Sequence, residues 1–159
     1  MKKLIFILIA ISVTCYFGCS KSVPQTPSCT NALPYSDSSA LLKFADDSIH
    51  TAFDSSGIFY QIVDSGSGVK PTGGSLCIVT YVGKLMSGDI FDSATNSHLG
   101  GYEVNQLNAI WQFSLPKLGV GGHIKVLLPS CYGFGCNGYG NIIPPNAPLY
   151  YDITLLNVF

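Results

Sequence analysis

The 159-residue sequence is poor in charge: it contains no arginine, and charged residues make up only 11% of the chain. Eight lysines face nine acidic residues, which leaves a formal net charge of -1. A protein that binds nucleic acid needs a basic surface to neutralise phosphates, so this composition excludes that class of function. Disorder of the whole chain is excluded too, because 47% of the residues are hydrophobic. The length suits one compact domain.

Motifs for metal, cofactor or nucleophile chemistry are also missing. The histidines His50, His98 and His123 are scattered and no Cys-x-x-Cys pair occurs, so we expect no metal site. No Gly-x-Ser-x-Gly elbow is present, and no serine or cysteine has a histidine partner suggested by spacing. Gly66 and Gly68 lack the rest of a dinucleotide or phosphate-loop motif, so they are interpreted as turn residues. We therefore expect no cofactor.

A long apolar run lies at the N-terminus, where two lysines precede residues 4–13. Gly18 and Cys19 follow too early for a membrane-spanning helix, which needs about 20 apolar residues. Residues 1–18 are therefore predicted to be a secretory signal peptide. The Gly18-Cys19 pair resembles a bacterial lipoprotein processing site. That resemblance implies lipidation of Cys19 at the start of the mature chain, with ordinary cleavage as the alternative.

Two segments separate this signal from the main domain. Residues 19–36 are polar and rich in proline, and they are predicted to be a disordered tether. Residues 37–56 are predicted to hold an N-terminal amphipathic helix from Asp37 to Phe53, because apolar residues recur there at helical spacing. Asp37 or Ser38 is a suitable cap for its first turn.

Four cysteines lie outside the signal region: Cys29, Cys77, Cys131 and Cys136. This number agrees with export to an oxidising compartment, where four thiols allow three full pairings. Cys131 and Cys136 are the closest pair and lie in a glycine-rich loop, so a bridge between them is the candidate disulfide. Cys77 lies within an apolar strand and is interpreted as a buried, inert thiol.

The order of elements in residues 57–159 indicates an α+β domain. Alternating or apolar runs bounded by glycine and proline predict strands at residues 58–64, 76–85, 90–92, 123–128 and 149–159. Apolar residues three and four positions apart between residues 105 and 115 predict a short helix that Pro116 ends. Together these elements predict a helix packed on a mostly antiparallel sheet.

Aromatic residues are abundant, with nine tyrosines, nine phenylalanines and one tryptophan, and many lie in loops or at the ends of predicted elements. Taken singly, each of them is explained as an ordinary core residue. Their order along the chain is more specific. The blocks concerned are VTYVGKL (79–85), GDIFDS (88–93), Trp111, LGVGG (118–122), YGFG (132–135), IIPPNA (142–147) and YDITLL (151–156). Across residues 57–159 these blocks resemble the FKBP-type peptidyl-prolyl cis/trans isomerases.

The resemblance implies a curved antiparallel β-sheet wrapped across a short α-helix, with an apolar substrate pocket between them. Trp111 matches the floor of that pocket and Asp92 matches its aspartate. The residues implied to carry catalysis are Tyr81, Phe91, Asp92, Trp111, Phe134, Ile143 and Tyr151. Leu107 and Asn108 are implied to bind substrate, with the backbone N–H of Asn108 donating to a substrate carbonyl.

Three features depart from the family pattern. Asn108 occupies an apolar position of the family, and Phe134 stands where many members carry a tyrosine whose hydroxyl contacts ligand. Residues 94–103 form a shorter flap that lacks the paired aromatic residues of the family, for which Leu99 or Tyr102 is the candidate replacement. These differences predict reduced activity or an altered sequence preference.

The resemblance implies an isomerase that assists the folding of exported proteins, whose X-Pro bonds isomerise slowly without catalysis. Its expected partners are proline-containing polypeptides, macrolide inhibitors, and the membrane through the lipid anchor. The expected location is the cell envelope, as an outer-membrane lipoprotein that faces the periplasm. The alternative is a non-catalytic peptide-binding or chaperone module that uses the same groove, and a purely structural envelope domain is a third hypothesis.

Overall fold

The computed structural model describes residues 30–48 and 52–159. In these ranges the α-helices are α1 (Ser38–Ser48) and α2 (Ala109–Ser114). The strands are β1 (Ala52–Phe53), β2 (Phe59–Asp64), β3 (Cys77–Leu85), β4 (Ile90–Ser97), β5 (His123–Leu128) and β6 (Leu149–Val158). Short 3₁₀ helices occupy Pro34–Asp37, Leu99–Gly101, Val104–Gln106, Leu115–Lys117, Ser130–Tyr132 and Gly135–Asn137. No helix within the described ranges is long and apolar enough to cross a membrane.

The strands form one antiparallel sheet in the order β1-β2-β5-β6-β3-β4. The inner strand β6 pairs with β3 on one side and with β5 on the other. The short helix α2 packs on one face of this sheet through Ile110 and Trp111. This arrangement confirms the α+β class that the order of elements predicts.

The face of the sheet that α2 covers, here called the inner face, holds the main core. Alternate residues of β6 from Leu149 to Leu155 are buried on this face, as their alternation predicts. Ile110 and Leu115, from α2 and the 3₁₀ helix that follows it, belong to the same buried cluster. Full burial of one such side chain contributes about 1.5–3 kcal/mol. A helix as short as α2 is therefore stabilised by its packing, because isolated short helices are marginal in water.

The opposite, outer face of the sheet is covered by α1. Leu41 and Ala45 pack against Phe59, Leu127 and Tyr150, which belong to β2, β5 and β6. Phe59 is paired with Leu127, and Leu127 is paired with Tyr150, so the three residues form one row across the outer face. Helix α1 is therefore a second layer of the same domain.

This N-terminal helix is shorter than the sequence predicts. Helix α1 spans Ser38–Ser48, and Phe53, expected inside the helix, lies in β1. The rings of Phe53 and Phe59 are 5.0 Å apart on paired strands, and this tertiary contact overrides the helical spacing. The carboxylate of Asp37, one of the two expected caps, accepts a hydrogen bond from the backbone N–H of Ser130 at 2.7 Å.

Two other boundaries differ from expectation. The helix predicted over residues 105–115 is α2 with a 3₁₀ helix on either side, and Pro116 lies inside the second of these. Proline is accepted at the start of a helical turn because its missing N–H would have no partner there. Strand β4 continues from Asp92 to Ser97, because it remains paired with β3 as far as Val79.

The prediction of a disordered tether is wrong for residues 30–36, because these residues pack against the domain. Tyr35 donates its hydroxyl to the carbonyl oxygen of Ser55 at 2.6 Å, and Pro34 lies against Gly57. The polar composition of this segment predicted a tether, but its polar groups find backbone partners on the domain. The rest of the tether, the signal peptide at residues 1–18 and the lipidation residue Cys19 lie outside the described residues.

The candidate disulfide between Cys131 and Cys136 is wrong as well. Cys131 carries a free thiol, whereas Cys136 is disulfide-bonded, so these two cysteines are not joined to each other. The two residues lie in separate 3₁₀ helices, so closeness in sequence does not bring their sulfurs together. Cys77 is free and buried, as predicted, and burial raises the pKa of its thiol.

Candidate active site

A cavity of about 620 Å³ opens between the inner face of the sheet and α2. All nine residues that the sequence assigns to catalysis or substrate binding line it. The lining residues are Tyr81, Phe91, Asp92, Ser97, Leu99, Gly100, Leu107, Asn108, Trp111, Phe134, Tyr139, Ile142, Ile143 and Tyr151. The structure therefore brings residues from β3, β4, α2 and β6, and from the two segments that connect β4 to α2 and β5 to β6, to one pocket.

Edge-to-face aromatic contacts build the floor and walls of this pocket. Trp111 is only 7% exposed, and its ring centroid lies 4.9 Å from that of Tyr81 and 6.1 Å from that of Tyr151. Phe91 continues the series, with its centroid 5.6 Å from Tyr151 and 6.3 Å from Phe134. Each such pair adds about 0.5–1.5 kcal/mol beyond burial. The contacts hold the rings in a fixed, apolar surface.

Strand pairing explains why these rings meet. Gly83 on β3 is paired with Asp92 on β4 and with Tyr151 on β6, so three neighbouring strands converge at one point of the sheet. A Cβ atom on Gly83 would lie 2.6 Å from Cζ of Phe91. Glycine at this position leaves the space that the Phe91 ring occupies. Gly83 lies in the block of residues 79–85, and the sequence alone does not indicate this role for it.

The polar element of the wall is a hydrogen bond between Tyr81 and Asp92. The Tyr81 hydroxyl donates to Oδ2 of Asp92 at 2.8 Å. Burial, followed by this hydrogen bond and by the charge of Asp92, raises the pKa of Tyr81 to about 12. Burial, with smaller contributions from Asp92 and Tyr81, also raises the pKa of Tyr151. Both phenols are therefore protonated at neutral pH and serve the pocket as neutral groups.

The rim of the pocket is formed where the chain enters α2. Asn108 precedes the helix with an extended backbone (φ -71°, ψ 172°), and its carbonyl accepts from the backbone N–H groups of Trp111 and Gln112. The side chain of Gln112 donates to the carbonyl of Leu107 at 2.6 Å. Among the described residues, none accepts a hydrogen bond from the Asn108 backbone N–H. That donor is available to a ligand in the pocket.

The flap contributes Leu99 to the pocket and leaves Tyr102 outside. Leu99 lines the cavity, whereas the Tyr102 side chain is 58% exposed and is not part of the lining. Leu99 adopts a left-handed backbone (φ 50°), and its N–H donates to the Ser97 hydroxyl at 3.2 Å. Of the two candidate replacements for the family's flap aromatics, Leu99 is the one at the pocket.

Tyr139, on the opposite rim, is a pocket residue that was not predicted from the sequence. The Tyr139 ring packs 5.5 Å from the ring of Phe134, and both line the cavity. Backbone hydrogen bonds in both directions between Tyr139 and Ile143 place the ring next to the family block 142–147. An aromatic residue within a glycine-rich loop between two recognised blocks was the available signal.

Comparisons with known proteins agree with this geometry. Residues 67–156 match the family model of the FKBP-type peptidyl-prolyl cis-trans isomerase. The FK506-binding protein 1 of Debaryomyces hansenii is 35% identical over 105 residues, which cover 62% of this chain and 91% of that protein. The FKBP-type peptidyl-prolyl cis-trans isomerase FkpA of Escherichia coli is 32% identical over 105 residues, which cover 65% of this chain and 38% of FkpA.

Solved structures show the same fold. A peptidyl-prolyl cis-trans isomerase from Pseudomonas syringae pv. tomato superimposes with a TM-score of 0.65 at 26% identity, covering 81% of this chain and 98% of that chain. Escherichia coli FkpA superimposes with a TM-score of 0.64 at 30% identity, covering 79% of this chain and 59% of that chain. The family model spans more than half of the sequence and contains all of the residues that line the pocket. From the matched sequence, the shared fold and the aromatic pocket together, the chain belongs to the family of FKBP-type peptidyl-prolyl cis-trans isomerases.

Proposed function

We propose that this isomerase acts on X-Pro bonds of exported proteins, and that it does so by enclosing the bond in the aromatic pocket. The observation that carries the mechanism is the composition of that pocket. Trp111 lies at its floor, aromatic rings form its walls, and the carboxylate of Asp92 is held by the Tyr81 hydroxyl.

Rotation about an X-Pro bond is slow because amide resonance gives the C–N bond partial double-bond character, with a barrier of about 18–20 kcal/mol. Twisting the bond breaks this resonance, so the twisted amide is less dipolar than the planar one. An apolar pocket that excludes water disfavours the planar form relative to the twisted form, and its shape selects the twisted form. The reaction transfers no proton and forms no covalent intermediate, which agrees with a pocket of neutral phenols and aromatic rings.

Three groups of this chain have distinct roles in the proposal. Trp111 supplies the flat surface on which the proline ring packs. The backbone N–H of Asn108, which has no acceptor among the described residues, donates to a substrate carbonyl. The Tyr81–Asp92 hydrogen bond fixes the wall beside the amide and holds the carboxylate in place.

The proposal includes a location at the cell envelope with a lipid on Cys19. Residues 1–19 support it by their lysines, their short apolar run and the Gly18-Cys19 pair. The disulfide at Cys136 supports it independently, because disulfides persist in oxidising compartments outside the cytosol. Mass spectrometry of the mature N-terminus tests this location, and an N-terminus other than a lipidated Cys19 contradicts the anchor.

The ligands that fit this proposal are proline-containing polypeptides and macrolides. The relatives from Debaryomyces hansenii and other yeasts carry the name FK506-binding protein. The region that matches the family model, residues 67–156, includes the pocket. Asn108 and Phe134 alter the rim of the pocket relative to the family pattern, so we expect the preference for the residue before proline to differ from that of the relatives.

A protease-coupled assay with proline peptides tests the activity directly. The purified full-length protein is expected to accelerate isomerisation, with a rate that depends on the residue before proline. Binding of the same peptides, followed through the fluorescence of Trp111, is measured in parallel. Binding without acceleration would select the non-catalytic peptide-binding function, and absence of both would overturn the proposal for this pocket.

A further inference from the structure

The segment of residues 30–37, here called the N-terminal brace, holds the loop of residues 129–138, here called the pocket loop. At one end of this loop, Oδ2 of Asp37 accepts a hydrogen bond from the backbone N–H of Ser130 at 2.7 Å. At the other end, Oδ1 of Asn31 accepts from the backbone N–H of Cys136 at 3.1 Å. The two 3₁₀ helices of the pocket loop are therefore tied to the same segment of chain.

Phe134 lies between these two attachment points. Its side chain is 37% exposed, and it contributes to the pocket wall through its contacts with Phe91 and Tyr139. A ring with this much exposure receives limited support from its own packing. The position of the Phe134 ring therefore depends on how the backbone on either side of it is held.

Asn31 fits the loop closely. Gly135 has a left-handed backbone (φ 55°), and a Cβ atom at this position would collide with Oδ1 of Asn31. The carbonyl of Gly135 accepts from the backbone N–H of Asn146 at 2.8 Å, which links the loop to the segment that carries Ile143. The Asn31 side chain thus occupies a space that only glycine leaves open, directly beside the pocket wall.

Cys136 also takes part in a covalent bond, because it is disulfide-bonded. Cys77 and Cys131 carry free thiols, which leaves Cys15, Cys19 and Cys29 as candidate partners. A disulfide requires Cα atoms about 5.5 Å apart. Cys29 is two residues from Asn31, a distance that the chain spans with at most about 7 Å. Because Asn31 is hydrogen-bonded to Cys136, this length of chain makes Cys29 the candidate partner that chain length favours most.

We propose that Cys29 and Cys136 form a disulfide that locks the N-terminal brace onto the pocket loop, and that the locked brace positions Phe134 and Tyr139 for peptide binding. The proposal rests on the peptide-binding role of the pocket described above. Asn31 is a positioning residue in this scheme, because it acts on the peptide through the loop and does not touch the peptide.

The bond forms by thiol–disulfide exchange with a disulfide-donating oxidant of the exported compartment. The thiolate of one cysteine attacks the donor disulfide, and the resulting mixed disulfide is displaced by the thiolate of the other. Two protons and two electrons leave the two thiols, and the donor is reduced to a dithiol. A dithiol reductant reverses the step and releases the brace from its covalent attachment.

Peptide mapping of the full-length protein without reduction tests the connectivity. A linked pair of peptides that contain Cys29 and Cys136 is expected, with Cys77 and Cys131 alkylated after denaturation. A link from Cys136 to any other cysteine overturns the assignment. This measurement is independent of activity, so it decides the bond even if the pocket binds no peptide.

The positioning role is tested by peptide affinity and turnover before and after reduction. Reduction is expected to raise KM roughly threefold to tenfold and to leave kcat nearly unchanged. The reason is that, without the disulfide, one side of the binding surface is held less firmly, which weakens peptide binding by about the free energy of one hydrogen bond. Cys136→Ser is expected to reproduce this change, and Cys131→Ser, in the same loop but with a free thiol, serves as the matched control. Equal KM in the oxidised and reduced protein overturns the positioning role.

Variants of Asn31 separate positioning from general stability. Asn31→Ala removes the acceptor for the Cys136 N–H and is expected to raise KM, whereas Asn31→Asp keeps an acceptor oxygen and is expected to restore it. A rise in KM with both variants, or with neither, contradicts the hydrogen bond as the positioning contact. If Asn31→Ala fails to fold, the reduction experiment on the natural sequence still decides the role.

Discussion

At the scale of single residues, the pocket depends on positions whose backbone or surrounding space is unusual. Gly83 leaves room for the Phe91 ring, and Leu99 is held in a left-handed conformation by its hydrogen bond to Ser97. A left-handed leucine costs about 1–2 kcal/mol, so its neighbours must hold it there. These residues set the shape of the pocket without chemical groups of their own.

Gly83→Ala is expected to lower the free energy of unfolding by about 1–3 kcal/mol and to reduce isomerase activity. The new methyl group meets the Phe91 ring, which is already packed against Tyr151 and Phe134 and has little freedom to move. Urea denaturation and the peptide assay measure the two effects. Gly73→Ala is the matched control, because the nearest atom to its Cβ is 3.5 Å away; equal stability of the two variants would contradict the explanation.

Asn108→Pro is expected to lower kcat/KM by about tenfold, the value of one hydrogen bond to substrate. Proline removes the backbone N–H, and the natural φ of -71° already suits a proline ring. Leu107 is extended, as a residue before proline prefers. Asn108→Ala keeps the N–H and is expected to retain activity in the same assay. An equal loss in both variants would assign the effect to the side chain.

At the scale of elements, the register between strands brings the pocket together. Tyr81, Asp92 and Tyr151 come from β3, β4 and β6, which are adjacent in the sheet although β6 follows β3 by a long stretch of sequence. Helix α2 adds Trp111 from above the sheet. Helix α1 packs on the opposite face through Leu41 and Ala45, and the strand residues of that cluster, Phe59, Leu127 and Tyr150, do not line the pocket.

Leu41→Ala is expected to destabilise the protein by about 2–5 kcal/mol, because the side chain is fully buried against the outer face of the sheet. Since this cluster is separated from the pocket by the sheet, KM for proline peptides is expected to stay unchanged while the protein is folded. The midpoint of urea denaturation and the peptide assay check both statements. Leu42→Ala, at a side chain 48% exposed, is the control and is expected to have little effect.

At the scale of the whole molecule, each face of the sheet carries a tyrosine hydroxyl that is hydrogen-bonded to a carboxylate. On the outer face, Nε2 of His123 lies 2.6 Å from one carboxylate oxygen of Asp152, and the Tyr150 hydroxyl donates to the other at 3.1 Å. On the inner face the charged group at the pocket is Asp92, bonded to Tyr81. Buried phenols on both faces thus lie beside carboxylates.

Stability is expected to fall at alkaline pH because of these phenols. Burial raises the pKa of Tyr81 from 10.0 to about 12, and burial also raises the pKa of Tyr150 and Tyr151. Above pH 10.0, the unfolded chain loses phenol protons that the folded chain keeps, so the folded state binds more protons and stability decreases with rising pH. The stabilisation is complete below that pH and is lost as the pH passes through the folded-state values.

Urea denaturation across the alkaline range measures this dependence. Tyr81→Phe removes one of the titrating phenols, so its stability is expected to decline less steeply with pH than that of the natural sequence. Identical slopes for the two proteins would show that Tyr81 does not contribute, and a flat profile for the natural sequence would contradict the expected burial of all three phenols.

Much of the pocket was predictable because each family block is a short, continuous stretch of the sequence. Tyr81, Phe91 and Tyr151 were identified from short blocks that lie wholly or largely within β3, β4 and β6, and Trp111 was identified as a single residue that lies in α2. Tyr139 was missed because it lies between blocks, and its position depends on the fold of the pocket loop. The pairing of Cys131 with Cys136 was predicted from nearness in sequence, which does not determine where the sulfurs lie.

Local patterning was sufficient for the strands, the inward and outward faces of β6, and the existence of both helices, because these properties depend on side-chain period and on breakers within a few residues. Tertiary contacts were required for the strand at Phe53 and for the docking of residues 30–36. The strand at Phe53 depends on its pairing with β2, and the docking depends on hydrogen bonds to residues 20 or more positions away, such as Ser55 and Cys136. Sequence spacing carries no information about such distances until the sheet has brought the partners together.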